Sequence, residues 1–150
     1  MKKVFLLVED DADDTEIFCE ALESIDPSIV CHCATDGHEA LEILSGNEPP
    51  HVIFLDINMH GMNGWQCLKA LKENELYKHI PVLMYSTSSH QREVNIALDL
   101  GALCFLTKPH NYGELKDILE VVADNVHKNL LEAISHLDAI RSTKVLPHSL

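Results

Sequence analysis

Basic side chains are scarce in this sequence. Its 150 residues include 11 lysines and arginines against 24 aspartates and glutamates, which gives a formal net charge of -13. Nucleic acids and anionic membranes both attract proteins through clusters of positive charge. We therefore expect this chain to bind neither nucleic acid nor a membrane surface directly.

Long hydrophobic runs are also missing. The apolar run near the N-terminus extends only from Val4 to Val8 and ends in acidic residues. It is too short for the core of a signal peptide or for a membrane-spanning helix, and is typical of a strand. Because no export signal is visible, we expect a cytoplasmic protein whose five cysteines are reduced thiols.

Cysteine and histidine pairs with zinc-site spacing are absent as well. Cys31 and Cys33 flank His32, but they belong to an alternating apolar stretch, and no second pair follows at a suitable distance. Two small side chains buried on one face of a strand explain this motif better. The ten histidines include no pair four residues apart, so none indicates a metal site by itself.

Five short apolar runs alternate with amphipathic stretches of helical periodicity. The predicted strands cover residues 3–8, 29–34, 52–55, 82–85 and 103–106. Every connection between them is long enough to contain a helix, so the strands are predicted to be parallel. The predicted fold class is α/β, a (βα)5 doubly wound sheet in a three-layer sandwich within one domain. We expect Asp13 or Asp14 to cap the first helix and Gly101 to end the fourth.

The segment HVIFLDINMHGMNG contains the most uniformly apolar of these runs. Such a run is typical of a strand buried on both faces, and Asp56 follows it directly. In open α/β sheets, ligands bind at the carboxyl ends of the strands. The alternative is that Asp56 caps the turn or the next helix.

Polar side chains follow four of the five predicted strands. They are Glu9, Asp10 and Asp11 after the first strand, Asp56 after the third, Ser86 after the fourth and Lys108 after the fifth. Parallel strands bring these residues to one edge of the sheet, where clustered carboxylates repel each other unless a cation holds them. A small set of oxygen ligands suits Mg²⁺ better than Ca²⁺ or zinc. A carboxylate on Mg²⁺, opposite a lysine and a hydroxyl, is suited to phosphoryl transfer.

Four motifs resemble the receiver domain of two-component response regulators. They are LLVEDD, LDINMHGMNG, PVLMYSTS and FLTKP, and the resemblance covers about residues 4–122. Ser86 and Lys108 also fall 30 and 52 residues after Asp56. The resemblance implies a receiver domain over residues 1–126 with the flavodoxin-like strand order 2-1-3-4-5.

By this resemblance, Asp56 is the phosphoacceptor, which receives its phosphoryl group from a sensor histidine kinase or a histidine phosphotransfer protein. Glu9, Asp10 and Asp56 would hold Mg²⁺ together with the backbone carbonyl of Asn58. Asp10 is the expected direct ligand, and Asp11 a solvated turn residue.

The resemblance also assigns roles at the last two strands. Lys108 would pair with the phosphoryl oxygens, and a cis peptide bond is expected before Pro109. Ser86 would be the switch hydroxyl and Phe105 the switch aromatic residue, which together alter the face made by the fourth helix, the fifth strand and the fifth helix. Asn58 and Ser88 occupy positions that tune the lifetime of the phosphoryl group.

His60 departs from the family pattern, which usually has proline at this position. A histidine near the acceptor suggests a proton donor or a metal ligand. An exposed loop histidine is the simpler interpretation, and we favour it.

Helical spacing continues beyond the expected end of the domain. Leu130, Ile134 and Leu137 prolong the pattern of the fifth helix, which predicts either one overlong helix or a second helix folded back. Residues 127–150 are therefore predicted to form a helical extension with a frayed tail from Leu146, too short for an output domain. We expect this extension to form a homodimer or partner surface. The alternative is that it covers apolar surface of its own domain.

The predicted function is a single-domain response regulator, not an enzyme beyond its own phosphorylation and dephosphorylation, that acts on an unidentified downstream protein. The main alternative is a Mg²⁺-dependent phosphatase of the haloacid dehalogenase type, which also uses an aspartate nucleophile. That family needs a second acid two residues after the nucleophile, where this chain has Asn58. A flavodoxin is set aside because the acidic turn at residues 9–14 would repel a phosphate.

Overall fold

The structure is a computed structural model that describes residues 1–87 and 90–137, and the backbone of residues 140–143. The strands are β1 (Val4–Val8), β2 (Val30–Ala34), β3 (Val52–Leu55), β4 (Val82–Ser86), β5 (Cys104–Thr107) and β6 (Ile140–Thr143). The helices are α1 (Ala12–Ile25), α2 (Gly37–Gly46), α3 (Gly64–Glu73), α4 (Gln91–Asp99), α5 (Tyr112–Asn125) and α6 (Leu130–Ile134). Ser88 and the tail from Leu146 lie outside the described residues.

The strands form one sheet in the order β2-β1-β3-β4-β5-β6. The first five are mutually parallel, which confirms the predicted doubly wound fold and its 2-1-3-4-5 order. The sequence analysis missed β6, which pairs antiparallel with β5 and covers its outer edge.

Side chains of β1 alternate between two apolar layers, one on each face of the sheet. Phe5 and Leu7 pack with residues of α1, α5 and α6, whereas Leu6 and Val8 pack with residues of α2, α3 and α4. Burial on both faces explains why the central strands are uninterrupted apolar runs. The polar residues that follow them are the first that can approach solvent.

Side-chain caps begin most of the helices. Asp11, not Asp13 or Asp14, caps α1, because its backbone is extended and its carboxylate accepts the N–H of Asp14 at 3.0 Å. Because Asp14 does not cap the helix, its carboxylate can make another contact, which is described below. Gly101 follows α4 with a φ of +108°, which confirms the predicted glycine at its end.

The C-terminal extension begins with a second helix and not with a continuation of the fifth. Helix α5 ends at Asn125 and α6 is a separate short helix, so there is no overlong fifth helix. Leu130 and Ile134 are buried in the apolar layer that α5 also covers. These two side chains therefore cover apolar surface of their own domain.

Among the described strands, β2 is at the outer edge of the sheet and pairs with β1 alone. Cys31 and Cys33 lie on one face of β2, as predicted, but they are partly exposed because this edge is incompletely covered. None of the helices in the described part of the chain combines the length and apolarity that a membrane crossing requires.

Candidate phosphoryl-transfer site

Glu9 and Asp56 lie side by side at the carboxyl ends of adjacent strands. Val8 and Leu55 are partners in the β1–β3 register, and each is followed directly by one of these acids. The Asp56 N–H also donates to the Val8 carbonyl at 3.1 Å, which continues the pairing beyond the strands. Both acids are buried, with 3% of Glu9 and 7% of Asp56 exposed. The fold thus desolvates two carboxylates next to each other.

The two oxygens of the Asp56 carboxylate have different surroundings. Oδ1 accepts the N–H of Ile57 at 2.8 Å, whereas Oδ2 lies 3.6 Å from the Lys108 ammonium nitrogen. Asp56 does not cap the next helix, because Asn63 caps α3. One oxygen is therefore held by the backbone, and the other faces the centre of the site.

Lys108 connects the acids of the site. Its Nζ donates to Glu9 Oε1 at 2.5 Å and to Asp14 Oδ2 at 2.9 Å. Its backbone N–H donates to the Ser86 carbonyl at 2.9 Å, and its Nζ lies 5.5 Å from the centre of the Tyr85 ring. Burial alone would lower the pKa of Lys108, but hydrogen bonds to Glu9 and Asp14 outweigh burial and raise it. The side chain is therefore a permanent cation.

Glu9 carries the most perturbed carboxylate of this site. Burial, with the charge of Asp56 adding to its effect, raises the pKa of Glu9 to about 7, although Lys108 and the N–H of Asp11 oppose the shift. The Asp11 N–H donates to Glu9 Oε2 at 3.1 Å. Glu9 thus changes its charge near neutral pH.

Oxygen atoms of Glu9, Asp10 and Asp56 lie within 4.8 Å of one another. Asp10 and Asn58 also line a cleft of about 380 Å³ that opens beside this cluster. Hard oxygen ligands, excess negative charge and adjacent space for water are what Mg²⁺ requires. The three carboxylates that the sequence analysis assigned to a metal site are therefore brought together and fit a hard divalent cation, and Asn58 is placed beside them in the lining of the cleft.

His60 lies at the mouth of the cleft. Its side chain is 98% exposed, as we expected. Its backbone N–H and its ring Nδ1 nevertheless both lie 3.2 Å from Asp10 Oδ2. His60 therefore contacts a proposed metal ligand without being buried in the site.

The two proposed switch residues are both buried. Ser86 ends β4 and is fully buried opposite Thr107 of β5. Phe105 lies opposite Met84 and packs into the apolar layer that includes Val94 of α4. The aromatic ring is therefore directed into the domain in this structure.

Two glycines allow the loop after Asp56 to lie close to the site. A Cβ at Gly64 would lie 2.3 Å from the carbonyl oxygen of Asp56 and 2.6 Å from the Cα of Ile57. Gly61 has a φ of +71°, and a Cβ there would meet the carboxylate of Asp36. The loop path therefore depends on both glycines.

Two details differ from the sequence analysis or were missed by it. The peptide bond before Pro109 is trans, not cis, in keeping with the trans isomer being the more stable one even before proline. The ion pair of Asp14 with Lys108 was not predicted. A signal for it existed, because Asp14 lies in the first turn of the helix that starts at the same edge of the sheet.

Comparisons with known proteins agree with this geometry. A family model for the response regulator receiver domain matches residues 5–120. Response regulator Rcp1 from Synechocystis sp. is 34% identical over 128 residues, which are 80% of this chain and 84% of Rcp1. The Mn(2+)-bound structure of Rcp1 superposes with a TM-score of 0.70 at 28% identity, over 97% of this chain and 99% of that one. The structure of the phosphorylated cyanobacterial phytochrome response regulator RcpA superposes with a TM-score of 0.72 at 27% identity, over 95% of this chain and 100% of that one. This chain belongs to the response regulator receiver domain family.

Proposed function

We propose that this chain is a Mg²⁺-dependent signalling switch that is phosphorylated on Asp56. The observation that carries the proposal is the position of Asp56 Oδ2, 3.6 Å from the Lys108 ammonium and next to the acids Glu9 and Asp10. The donor would be the phosphohistidine of a sensor histidine kinase or a histidine phosphotransfer protein.

The surroundings of Asp56 support a role as nucleophile. The Ile57 N–H occupies Oδ1, so Oδ2 is the oxygen available to attack phosphorus. Attack forms an O–P bond and breaks the N–P bond of the phosphohistidine, whose electron pair stays on the ring nitrogen. The proton already on the other ring nitrogen makes the leaving group a neutral imidazole. Lys108 stays charged and would pair with the phosphoryl oxygens.

Glu9, Asp10 and Asp56, with the backbone carbonyl of Asn58, would hold the metal. Bound Mg²⁺ would supply neutralisation of the charge that gathers on the phosphoryl oxygens. Two solved structures of similar fold, Mn(2+)-bound Rcp1 and phosphorylated RcpA, are consistent with this chemistry.

The signal would leave the site through β4 and β5. Ser86 ends β4 and would move toward a phosphoryl group on Asp56, which would leave space near Phe105 on the adjacent strand. A shift of the buried Phe105 ring would alter the face made by α4, β5 and α5 for a downstream protein. Since Phe105 has no hydroxyl, this switch would act through packing alone.

Phosphoryl uptake with Asp56→Asn tests the acceptor. Purified chain is incubated with acetyl phosphate and Mg²⁺, or with a phosphorylated histidine phosphotransfer protein, and uptake is followed by intact mass. We expect uptake by the wild-type chain and by the exposed control Asp117→Asn, and none by Asp56→Asn or in EDTA. Uptake by Asp56→Asn at the wild-type rate would contradict the assignment. Sustained hydrolysis of a phosphate ester would favour a phosphatase instead.

A further inference from the structure

Three cysteines converge where α1 approaches the outer strand β2. Cys19 lies on α1, and Cys31 and Cys33 lie on the outer strand β2. Their three sulfur atoms lie within 4.8 Å of one another, and the Cys19 and Cys33 sulfurs are 3.5 Å apart. The other two cysteines, Cys67 and Cys104, are fully buried elsewhere.

The geometry points to a second metal site in this chain: we propose that Cys19, Cys31 and Cys33 bind one thiophilic d10 cation, Zn²⁺ or Cu⁺, through three thiolates. The proposal does not rest on phosphorylation of Asp56. It depends on the approach of a helix to a sheet edge, which adds a third cysteine to the pair visible in the sequence.

The sulfur separations suit such a cation. A metal with bonds of about 2.3 Å to sulfur holds its sulfur ligands about 3.8–4.0 Å apart. The Cys19 and Cys33 sulfurs, 3.5 Å apart, are slightly closer than this, and the Cys31 sulfur lies within 4.8 Å of both. Small side-chain rotations would therefore complete the site without moving the backbone.

The chemistry of the ligands selects the class of metal. Among the described residues, no carboxylate or imidazole joins this group of three sulfurs. Thiolates alone favour Zn²⁺ and Cu⁺ over Mg²⁺, Ca²⁺ and Mn²⁺, which prefer oxygen. The two metal sites of the chain would therefore not compete for the same ions.

The site is also accessible from solvent. All three cysteines are partly exposed, so an ion can reach them. Thiols that bind such a cation lose their protons to it, so binding would release protons to solvent.

A bound cation would join α1 to the edge of the sheet. Cys31 and Cys33 pair through their strand with Phe5 and Leu7 of β1, so the ion would link α1 to a rigid part of the fold. Because a ligand that binds only the folded state stabilises it, loading should raise the melting temperature.

The test titrates the reduced, metal-free, full-length chain without oxygen. Zn²⁺ is titrated against a chromophoric chelator, and Cu⁺ is titrated separately against a Cu⁺-specific chelator. We expect one equivalent to bind in at least one of the two titrations and to raise the melting temperature. The single variants Cys19→Ser, Cys31→Ser and Cys33→Ser should each lose at least about tenfold in affinity.

Two control variants separate this site from the rest of the chain. Cys67→Ala/Cys104→Ala keeps the three converging cysteines, and Asp56→Asn alters the acidic site; both should bind the same single equivalent. Loss of that equivalent in Asp56→Asn but not in the three cysteine variants would overturn the proposal. Failure to bind one equivalent of either metal would also overturn the proposal. This holds even if peroxide oxidises Cys19 and Cys33 to a disulfide, because the cysteines would then form a redox pair and not a metal site.

Discussion

The ammonium nitrogen of Lys108 lies 2.5 Å from Oε1 of Glu9, in an ion pair that is largely withdrawn from solvent. The side chains are 11% and 2% exposed, respectively. Removing one member of a buried ion pair typically costs about 3–5 kcal/mol, because the remaining charge is left unpaired. Lys108 therefore balances the acids of the site when no metal is bound.

Lys108→Ala should destabilise the metal-free chain by roughly 2–4 kcal/mol at pH 8. This loss is smaller than the typical cost of breaking a buried ion pair, because Glu9 can take up a proton and so relieve the unpaired charge. Urea unfolding in EDTA measures the loss, and saturating Mg²⁺ should restore part of it by replacing the missing positive charge. Lys69→Ala, at an exposed position of α3, is the matched control and should change stability by less than about 0.5 kcal/mol. A loss no larger than that of the control would show that the ion pair contributes nothing.

The raised pKa of Glu9 predicts the direction of a pH effect on stability. Burial raises the pKa from 4.5 to about 7, so between these values the folded chain binds more protons than the unfolded chain. The stability contributed by Glu9 is therefore fully present below pH 4.5 and is lost as the pH rises through 7. Without metal, the wild type should lose at most about 3 kcal/mol relative to Glu9→Gln between pH 4.5 and 8.

Paired urea titrations of the two proteins across that pH range measure this difference. Other titrating groups largely cancel because they are common to both chains. A difference that is flat, or that favours the wild type at high pH, would mean that the attraction of Lys108 outweighs burial.

The strand-end residues were predictable because each follows directly from a local pattern. Asp56 comes straight after an apolar run, and Glu9, Ser86 and Lys108 are placed by the same logic. Parallel strands then bring these residues together without any knowledge of side-chain contacts. The order of the motifs along the chain was therefore sufficient to predict that these residues lie at one edge of the sheet.

Contacts between loops and helices were not predictable in this way. The position of Asp14 in the first turn of α1 places it near Lys108, but the ion pair itself depends on rotamers. The contact of His60 with Asp10 depends on a loop path that has no sequence period. Asp11 competes with two neighbouring acids for the cap of α1, and only the backbone conformation distinguishes them. The sequence of β6, IRST, has a single apolar residue, so its pairing reflects the open edge of β5 more than its own pattern.

Gly64→Ala should distort the acceptor loop. The added Cβ would lie 2.3 Å from the Asp56 carbonyl oxygen, and backbone atoms cannot rotate away as a flexible side chain could. We expect a loss of about 1–3 kcal/mol in thermal or urea unfolding, together with slower phosphoryl uptake. Gly46→Ala is the matched control, because a Cβ at Gly46 meets nothing within 4 Å. That change should be neutral or stabilising by up to about 1 kcal/mol, and equal behaviour of the two variants would contradict the close-approach argument.

His60→Ala distinguishes a competitor of the metal from a ligand of the metal. The His60 ring lies 3.2 Å from Asp10 Oδ2 but is 98% exposed, so its interaction should be weak. If the ring competes with Mg²⁺ for Asp10, its removal should raise the Mg²⁺ affinity by no more than about fivefold.

Trp65, the only tryptophan, lines the same cleft as Asp10, so its fluorescence should report Mg²⁺ titrations. His79→Ala, at an exposed position far along the chain from this loop, should leave the affinity unchanged. A tenfold or larger loss of affinity in His60→Ala would make His60 a metal ligand, against the interpretation favoured by both its sequence context and its exposure.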